Sequence, residues 1–476
     1  MPTPLRVKFT RQRVVIDLSF ATAFKTLLCL AVAVAAGYLP IPGLEQAAPR
    51  ICFVIFVAAA ALWITELIPP YATSVMVIVT CVYLLGLPRG PLHLEGTGQQ
   101  SWQMFLNPVA SPVLILFFGG FVLAKGATKH GFDVRLARAF ITPFGNRPSL
   151  LLLGVILTTA LFSLFMSNTA TTAMMIAIVA PMLTQLGSHD RAKKMLVLAV
   201  PFAANIGGIG TIIGTPPNAV AASILQQLGP DQEITFLGWM LFGVPIAVVL
   251  LLLLWGVLLL VYRPGKEALS ITFPDTIEVT PGLAIVVCTF TLTVLLWLTE
   301  PLHGLPTAVV AMLPIAVFTA FNIINREDLQ DLDWDVMILV AGGMTLGVAM
   351  KASGLSDIIV RGIPFAHLPL PVLLAAVALV SITLSNFMSH TAASNLVIPI
   401  VIALSGVSPK LSAVAVALAS SLAMSLPIST PPNAIAFATR AVTTRDMALY
   451  GTLVSALGLG VVLSVLILGA GLMEKL

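Results

Sequence analysis

Apolar residues run through this chain in blocks of about twenty, separated by short polar or Pro- and Gly-rich breaks. The blocks fall at roughly 19–40, 51–69, 71–88, 111–127, 148–186, 193–228, 236–262, 281–299, 305–323, 335–352, 369–405, 410–440 and 448–473. A helix needs about 20 apolar residues to cross a hydrocarbon core, so the pattern predicts an all-α polytopic membrane protein. A β-barrel would alternate polarity over about ten residues instead. Two blocks, 148–186 and 369–405, are too long for one span and carry small polar residues at their centres. These centres share a hexapeptide frame, Phe165-Met166-Ser167-Asn168-Thr169-Ala170 and Phe387-Met388-Ser389-His390-Thr391-Ala392, 222 residues apart. Each polar centre reads as the tip of a helical hairpin.

The frame is one of several internal matches. Leu62-Trp63-Ile64-Thr65-Glu66 matches Leu296-Trp297-Leu298-Thr299-Glu300, and Ile115-Leu116-Phe117-Phe118-Gly119-Gly120 matches Ile338-Leu339-Val340-Ala341-Gly342-Gly343. Thr215-Pro216-Pro217-Asn218-Ala219 matches Thr430-Pro431-Pro432-Asn433-Ala434. The offsets decline in chain order, 234, 223, 222 and 215, as a duplication with a few loop deletions would give. The expected units are an N-terminal segment with a first transmembrane helix (1–50), one repeat over 51–262 and a second over 281–473.

Composition agrees: 58% hydrophobic and 9% charged residues, where a soluble domain carries about 25% charged. The basic start (Arg6, Lys8, Arg11, Arg13) precedes an apolar segment too long for a signal core, so it reads as a cytoplasmic anchor. With the N-terminus inside and each hairpin turning back, 17 of the 24 Lys and Arg fall inside and six outside, Lys25 lying within the first apolar run. If the hairpins crossed, Arg191, Lys193 and Lys194 would move outside. The count is then eleven spans plus two re-entrant hairpins. Each repeat holds five spans, so the two are inverted and the hairpins enter from opposite faces. The 128–145 stretch, and more weakly 353–366, suits an interfacial helix. Cys29, Cys52, Cys81 and Cys288 show no paired spacing and read as small core hydrophobes. Trp102, Trp239 and Trp334 read as interface anchors, and Glu66 and Glu300 as structural carboxylates at span ends. Nothing suggests nucleic-acid binding or an organic cofactor.

Inverted repeats with interrupted helices are the architecture of secondary transporters. Neither tip carries a Lys or Arg. An anion there would be held by hydroxyls, amides, backbone N–H groups and any cation bound beside it. Hydroxyl and carbonyl oxygens also suit a hard cation such as Na⁺. Each Pro-Pro pair removes two amide donors, freeing carbonyls such as those of Gly214 and Ser429 to face the tips.

The paired Ser-x-Thr tips and the two Thr-Pro-Pro-Asn breaks resemble the divalent anion/sodium symporter family, over roughly residues 50 to 473. That family includes Na⁺-coupled di- and tricarboxylate transporters and dicarboxylate exchangers. The resemblance implies a homodimer in a lipid bilayer, the plasma (inner) membrane, with scaffold and transport domains and elevator-type alternating access. It implies a first Na⁺ site of Ser163, Ser167, Asn168 and the Gly214 carbonyl. A second would use Ser385, position 390 and the Ser429 carbonyl. The substrate, a small divalent anion such as succinate, malate or citrate, would meet Asn168, Thr169, Ser389, His390, Thr391 and Pro431. The sequence departs at His390, where the family pattern has Asn. Imidazole is a poor Na⁺ ligand, but imidazolium can stand where a cation would sit. That leaves Na⁺ symport through the first site, or Na⁺-independent exchange with His390 replacing the second Na⁺.

Three other classes fit the sequence less well. An intramembrane hydrolase would use Ser389 and His390, but adjacent residues on one turn rarely align for proton transfer and no Gly-x-Ser-x-Gly elbow exists. A channel does not need paired inverted hairpins. A carrier of arsenite or of Na⁺ and H⁺ needs an intramembrane carboxylate, which neither hairpin nor either Thr-Pro-Pro-Asn region supplies.

Overall fold

The computed structural model describes residues 20–42, 44–87, 101–185, 191–263, 280–362, 369–403 and 408–473. The basic start and most of the polar loops 89–103 and 263–280 lie outside them. Among the described residues every regular element is helical, and the helices occupy the predicted blocks. Seven of them are long and apolar enough to cross a membrane. Each of the two long blocks divides at its polar centre. The first gives Pro148–Ser163 and Asn168–Gln185, the second Leu370–Phe387 and His390–Ala403. Each Thr-Pro-Pro-Asn element also divides a run, giving Arg191–Gly208 and Pro216–Leu228, then Pro409–Ser421 and Pro431–Ala438. Pro148, Pro216, Pro409 and Pro431 stand at the first helical position. There the missing N–H has no intrahelical partner to lose.

Both mouths of the first hairpin lie at one end of helix Phe236–Tyr262. The Trp255 indole N–H donates to the Ser149 carbonyl at 2.8 Å, fixing the start of the first arm. The Lys194 ammonium, just beyond the second arm, lies 2.8 Å from Asp446, whose helix brings Tyr450 against Tyr262. At the other end of Phe236–Tyr262, Trp239 reaches the Ile209 carbonyl beside the tip. A 16-residue arm is about 24 Å long, short of the roughly 30 Å core, so this hairpin turns back. The second hairpin opens the opposite way. Its tip is tied through Asn386 to Ser425, which meets Thr452 midway along helix Thr444–Leu468. Helix Pro409–Ser421, which follows its second arm, packs on Ala470–Met473 at the far end.

The two halves interlock reciprocally. Helix Pro112–Lys129 packs on Thr307–Ala320, and Trp334–Ala352 on Pro70–Thr80. The matched glycine pairs make these crossings possible: a Cβ on Gly119 would strike the Ala311 backbone, and one on Gly342 would strike Ser74. A short amphipathic helix follows each glycine-bearing helix, at Phe132–Ile141 and Leu355–Gly362. Left-handed glycines, Gly131 and Gly354, precede them.

Two side-chain expectations change. Trp239 is not an interface anchor but wholly buried, because its N–H holds the break after Gly208. Cys288 is exposed rather than in the core, while Cys52 and Cys81 are buried. Glu66 caps the end of helix Ala47–Thr65, as expected, and its carboxylate also accepts from the Ser389 N–H of the second hairpin at 3.1 Å. Burial, with Glu233 nearby, pushes the Glu300 carboxyl above the usual carboxylate range.

Candidate substrate and ion site

The hairpin tips and the two Pro-Pro breaks meet around one cavity of about 400 Å³. Its lining includes Ser167, Asn168, Thr169, Gly214, Ser389, His390, Thr391, Ser429 and Pro431, so nine of the sequence-derived site residues share one wall. Ser163 and Ser385 lie one turn back from the tips and are fully buried. Each tip serine caps the second arm of its hairpin. Ser167 Oγ accepts from Ala170 N–H at 3.3 Å, and Ser389 Oγ from Ala392 N–H at 3.1 Å. Those bonds place the N-termini of two helices, and their partial positive charge, at the cavity.

Around Asn168 the donors are all oxygens. With its carboxamide oxygen inward, Oδ1 lies 2.5 Å from Ser163 Oγ, which lies 2.7 Å from the Ala204 carbonyl. Turned over, its NH₂ reaches Ser163 Oγ, the Ala204 carbonyl and the Gly214 carbonyl at 2.5, 3.1 and 3.2 Å. A hydroxyl has one proton, so it cannot satisfy both the Asn168 oxygen and the carbonyls. An amide NH₂ suits this spot, and so does a cation with Oδ1 turned inward. The donor set therefore fits a hard cation at Ser163, Asn168 and Gly214. The packing depends on glycine: a Cβ on Gly214 would approach the Gly208 and Ser163 carbonyls at 2.5 and 2.8 Å.

The second tip is built differently. His390 Nε2 lies 2.8 Å from the Ala423 carbonyl. Counting back from the two Thr-Pro-Pro-Asn elements, Ala423 corresponds to Gly208, beside which Asn168 lies. The imidazole thus uses a carbonyl facing the tip. Ser429 presents its hydroxyl, not only its carbonyl: Oγ bonds to the Asn386 backbone oxygen and Oδ1 at 3.1 and 3.0 Å. Among the described residues the Ser385 hydroxyl has no hydrogen-bond partner, and it is fully buried.

The citrate transporter family, CitMHS, matches residues 60–423. The chain belongs to this family. Among its relatives, a Staphylococcus saprophyticus protein named sodium-dependent dicarboxylate transporter SdcS is 30% identical, covering 86% of this chain and 85% of its own. The Staphylococcus aureus protein of that name is 31% identical over 82% and 80%. An uncharacterized transporter of Haemophilus influenzae is 31% identical over 83% and 86%. Of solved structures, the Alcanivorax borkumensis YdaH transporter matches with a TM-score of 0.59 at 13% identity, over 85% of this chain and 99% of that one. MtrF of Neisseria gonorrhoeae, one of a class of antimetabolite efflux pumps, gives 0.55 at 13% identity, over 85% and 96%. The last two share the fold. The chain is an integral membrane transporter and not an enzyme.

This CitMHS transporter also places at its cavity residues that no motif announced. Asp333 and Asp335 line it, brought there by helix Trp334–Ala352. Asn205 bridges the halves, receiving from Asn168 Nδ2 and donating to Thr430 Oγ1, each at 3.4 Å. The asparagines of the Thr-Pro-Pro-Asn elements are not among the cavity-lining residues and instead fold the breaks. Asn218 Nδ2 donates to the Gly208, Ile209 and Thr211 carbonyls, and Asn433 Nδ2 to those of Met424 and Leu426. Only the exact repetition of this asparagine hinted at that role.

Proposed function

We propose that this protein is a secondary active transporter of di- or tricarboxylates, coupled to Na⁺ through the site at Asn168. The observation that supports this reading is the convergence of oxygens on the Asn168 carboxamide beside a cavity without Lys or Arg. A dicarboxylate entering that cavity meets the hydroxyls of Thr169, Ser389 and Thr391, two helix N-termini, and the carboxylates of Asp333 and Asp335. Like charges about 4 Å apart repel by about 4 kcal/mol at an effective dielectric constant of 20. The anion thus needs a cation nearby, and Na⁺ held by Ser163, Ser167, Asn168 and Gly214 supplies it. The names of the SdcS relatives agree with this reading. In this account eleven helices span the plasma membrane with the N-terminus inside. The protein works as a homodimer whose hairpin-bearing part moves against the rest as an elevator.

A second reading, exchange of one dicarboxylate for another without Na⁺, is favoured by His390 alone. Its ring N–H stands against the Ala423 carbonyl, where a second cation would need ligands. One experiment separates the readings. Purified protein in proteoliposomes is given labelled succinate, citrate or sulfate, with and without external Na⁺ and with and without internal succinate. Na⁺-driven uptake into empty vesicles supports symport. Uptake that needs internal substrate and ignores Na⁺ replaces it with exchange.

A further inference from the structure

Three polar side chains form a hydrogen-bonded chain from the oxygens around Asn168 to the other half of the molecule. Asn168 begins the second arm of the first hairpin, Asn205 sits near the end of helix Arg191–Gly208, and Thr430 precedes helix Pro431–Ala438. Asn168 Nδ2 donates to Asn205 Oδ1 and Asn205 Nδ2 to Thr430 Oγ1, each at 3.4 Å and the second across 225 residues of sequence. All three line the cavity, yet Asn205 is only 1% exposed and Thr430 only 4%, so water offers them few substitute partners. Counting back from the two Thr-Pro-Pro-Asn elements, Asn205 corresponds to Ser420, as Asn168 corresponds to His390 in the hexapeptide frame. The second half thus has neither amide at the matching position. Ser420 is fully buried and, among the described residues, its hydroxyl has no partner. Two amides that occur together in one half, and at neither place in the other, point to a shared task.

We propose, resting on the Na⁺-coupled transport reading above, that Asn205 is a positioning residue: it relays the occupancy of the cation site to the Thr430 hydroxyl, and so sets whether Thr430 offers its proton to a substrate carboxylate. Proton counting gives the chain two directions. A cation beside Ser163 and the Gly214 carbonyl turns Asn168 Oδ1 inward, so Nδ2 faces Asn205 Oδ1. Asn205 Nδ2 then faces Thr430 Oγ1. That oxygen also accepts from the Asn433 N–H at 3.1 Å, so both its lone pairs are used and its proton is left for the cavity. With Asn168 turned over, Nδ2 reaches Ser163 Oγ and the Ala204 and Gly214 carbonyls, and Oδ1 faces Asn205. Asn205 must then donate to Asn168 and accept from Thr430, which consumes the one Thr430 proton. An ionised carboxylate accepts and never donates, so it binds the first arrangement better. Because the donor and the acceptor of Asn205 belong to one amide, its two ends turn over together. By linkage, Na⁺ tightens the dianion and the dianion tightens Na⁺ by the same factor.

The test measures binding rather than transport, on the full-length protein in detergent. Calorimetric titration gives the succinate Kd in Na⁺ and in choline, and the ratio of the two is the coupling factor. Asn205→Ala should lower that factor about tenfold, through weaker succinate binding in Na⁺ with the Kd in choline little changed. Thr430→Val, which keeps the shape and loses the hydroxyl, should do the same, and Thr430→Ser should keep the wild-type factor. The double variant of Asn205→Ala and Thr430→Val should be no worse than either single one, since both break one chain. Loss of an ordinary substrate contact would instead weaken succinate equally in Na⁺ and in choline, and would overturn the relay, as would losses that add in the double variant. Should Asn205→Ala fail to fold, Thr430→Val against Thr430→Ser decides by whether the loss is confined to Na⁺. Wild-type coupling that survives in the variants removes the relay alone. No coupling in the wild type, or no succinate binding at all, removes the Na⁺-coupled transport reading and the relay with it.

Discussion

In the proposed function, Asn168 is the residue on which ion and substrate chemistry converge. Its carboxamide has one face toward Ser163, Ala204 and Gly214 and the other toward the cavity. Asn168→Ala removes a ligand from the cation and a donor from the substrate at once. Hydrogen bonds to charged groups contribute about 1.5–3 kcal/mol, so uptake should fall by about a hundredfold while the detergent-purified protein stays monodisperse. Near wild-type uptake would take Asn168 out of the site. His390 is the counterpart that departs from the pattern. Its N–H holds the Ala423 carbonyl at 2.8 Å, so His390→Asn should return that carbonyl to a cation and steepen Na⁺ activation; an unchanged Na⁺ response curve would argue against it. The tips were legible in the sequence because each is a polar island in an apolar run and the two repeat one frame. Asp333, Asp335, Asn205 and Glu66 were not, because they reach the cavity or a tip from elements far away in sequence and match no repeat of each other there.

Among the elements, the hairpins and breaks were readable because apolar block length and Pro-Pro pairs report directly on helix ends. What was not readable is how the breaks are held. Trp239 looked like an interface anchor from composition alone, yet its indole closes the loop after Gly208. Asn433 carries the same task in the second half, bonding the Met424 and Leu426 carbonyls at 2.9 Å each. Asn433→Ala leaves two buried acceptors unpaired, and each unsatisfied group costs about 1–3 kcal/mol. Thermal unfolding in detergent should show a lower midpoint for this variant, with the larger loss of substrate-induced stabilisation; an unchanged midpoint would mean water replaces the amide. The hairpins make a topological prediction too. Cysteines placed at Asn146, at the first hairpin's mouth, and at Ser408, at the second's, in a chain with its four native cysteines replaced, should react with impermeant thiol reagent from opposite faces. Labelling of both from one face would mean that one hairpin is a span.

For the whole molecule the governing quantity is charge. The cavity presents Asp333 and Asp335, helix N-termini and hydroxyls, and no Lys or Arg among its lining residues. A dianion added to that set meets two like charges, offset on the protein side by Lys125 acting on Asp333. Na⁺ at the Asn168 site offsets one charge. With His390 occupying the carbonyl at the second tip, further Na⁺ has fewer ligands than at the first. In the proposed symport the loaded carrier has one cation site, at Asn168, and crossing without substrate leaves Asp333 and Asp335 without that cation. Both facts favour crossing with substrate aboard over crossing empty. Wild-type uptake should accordingly rise with Na⁺ along a hyperbolic curve of Hill coefficient about one, since one dominant site gives no cooperativity. Internal succinate should speed it further. A steeply sigmoidal Na⁺ curve in vesicles without internal substrate would show that a second cation binds beside His390 after all. It would also show that Ser385 and Ser429, with carbonyls of the second break, are sufficient to hold it.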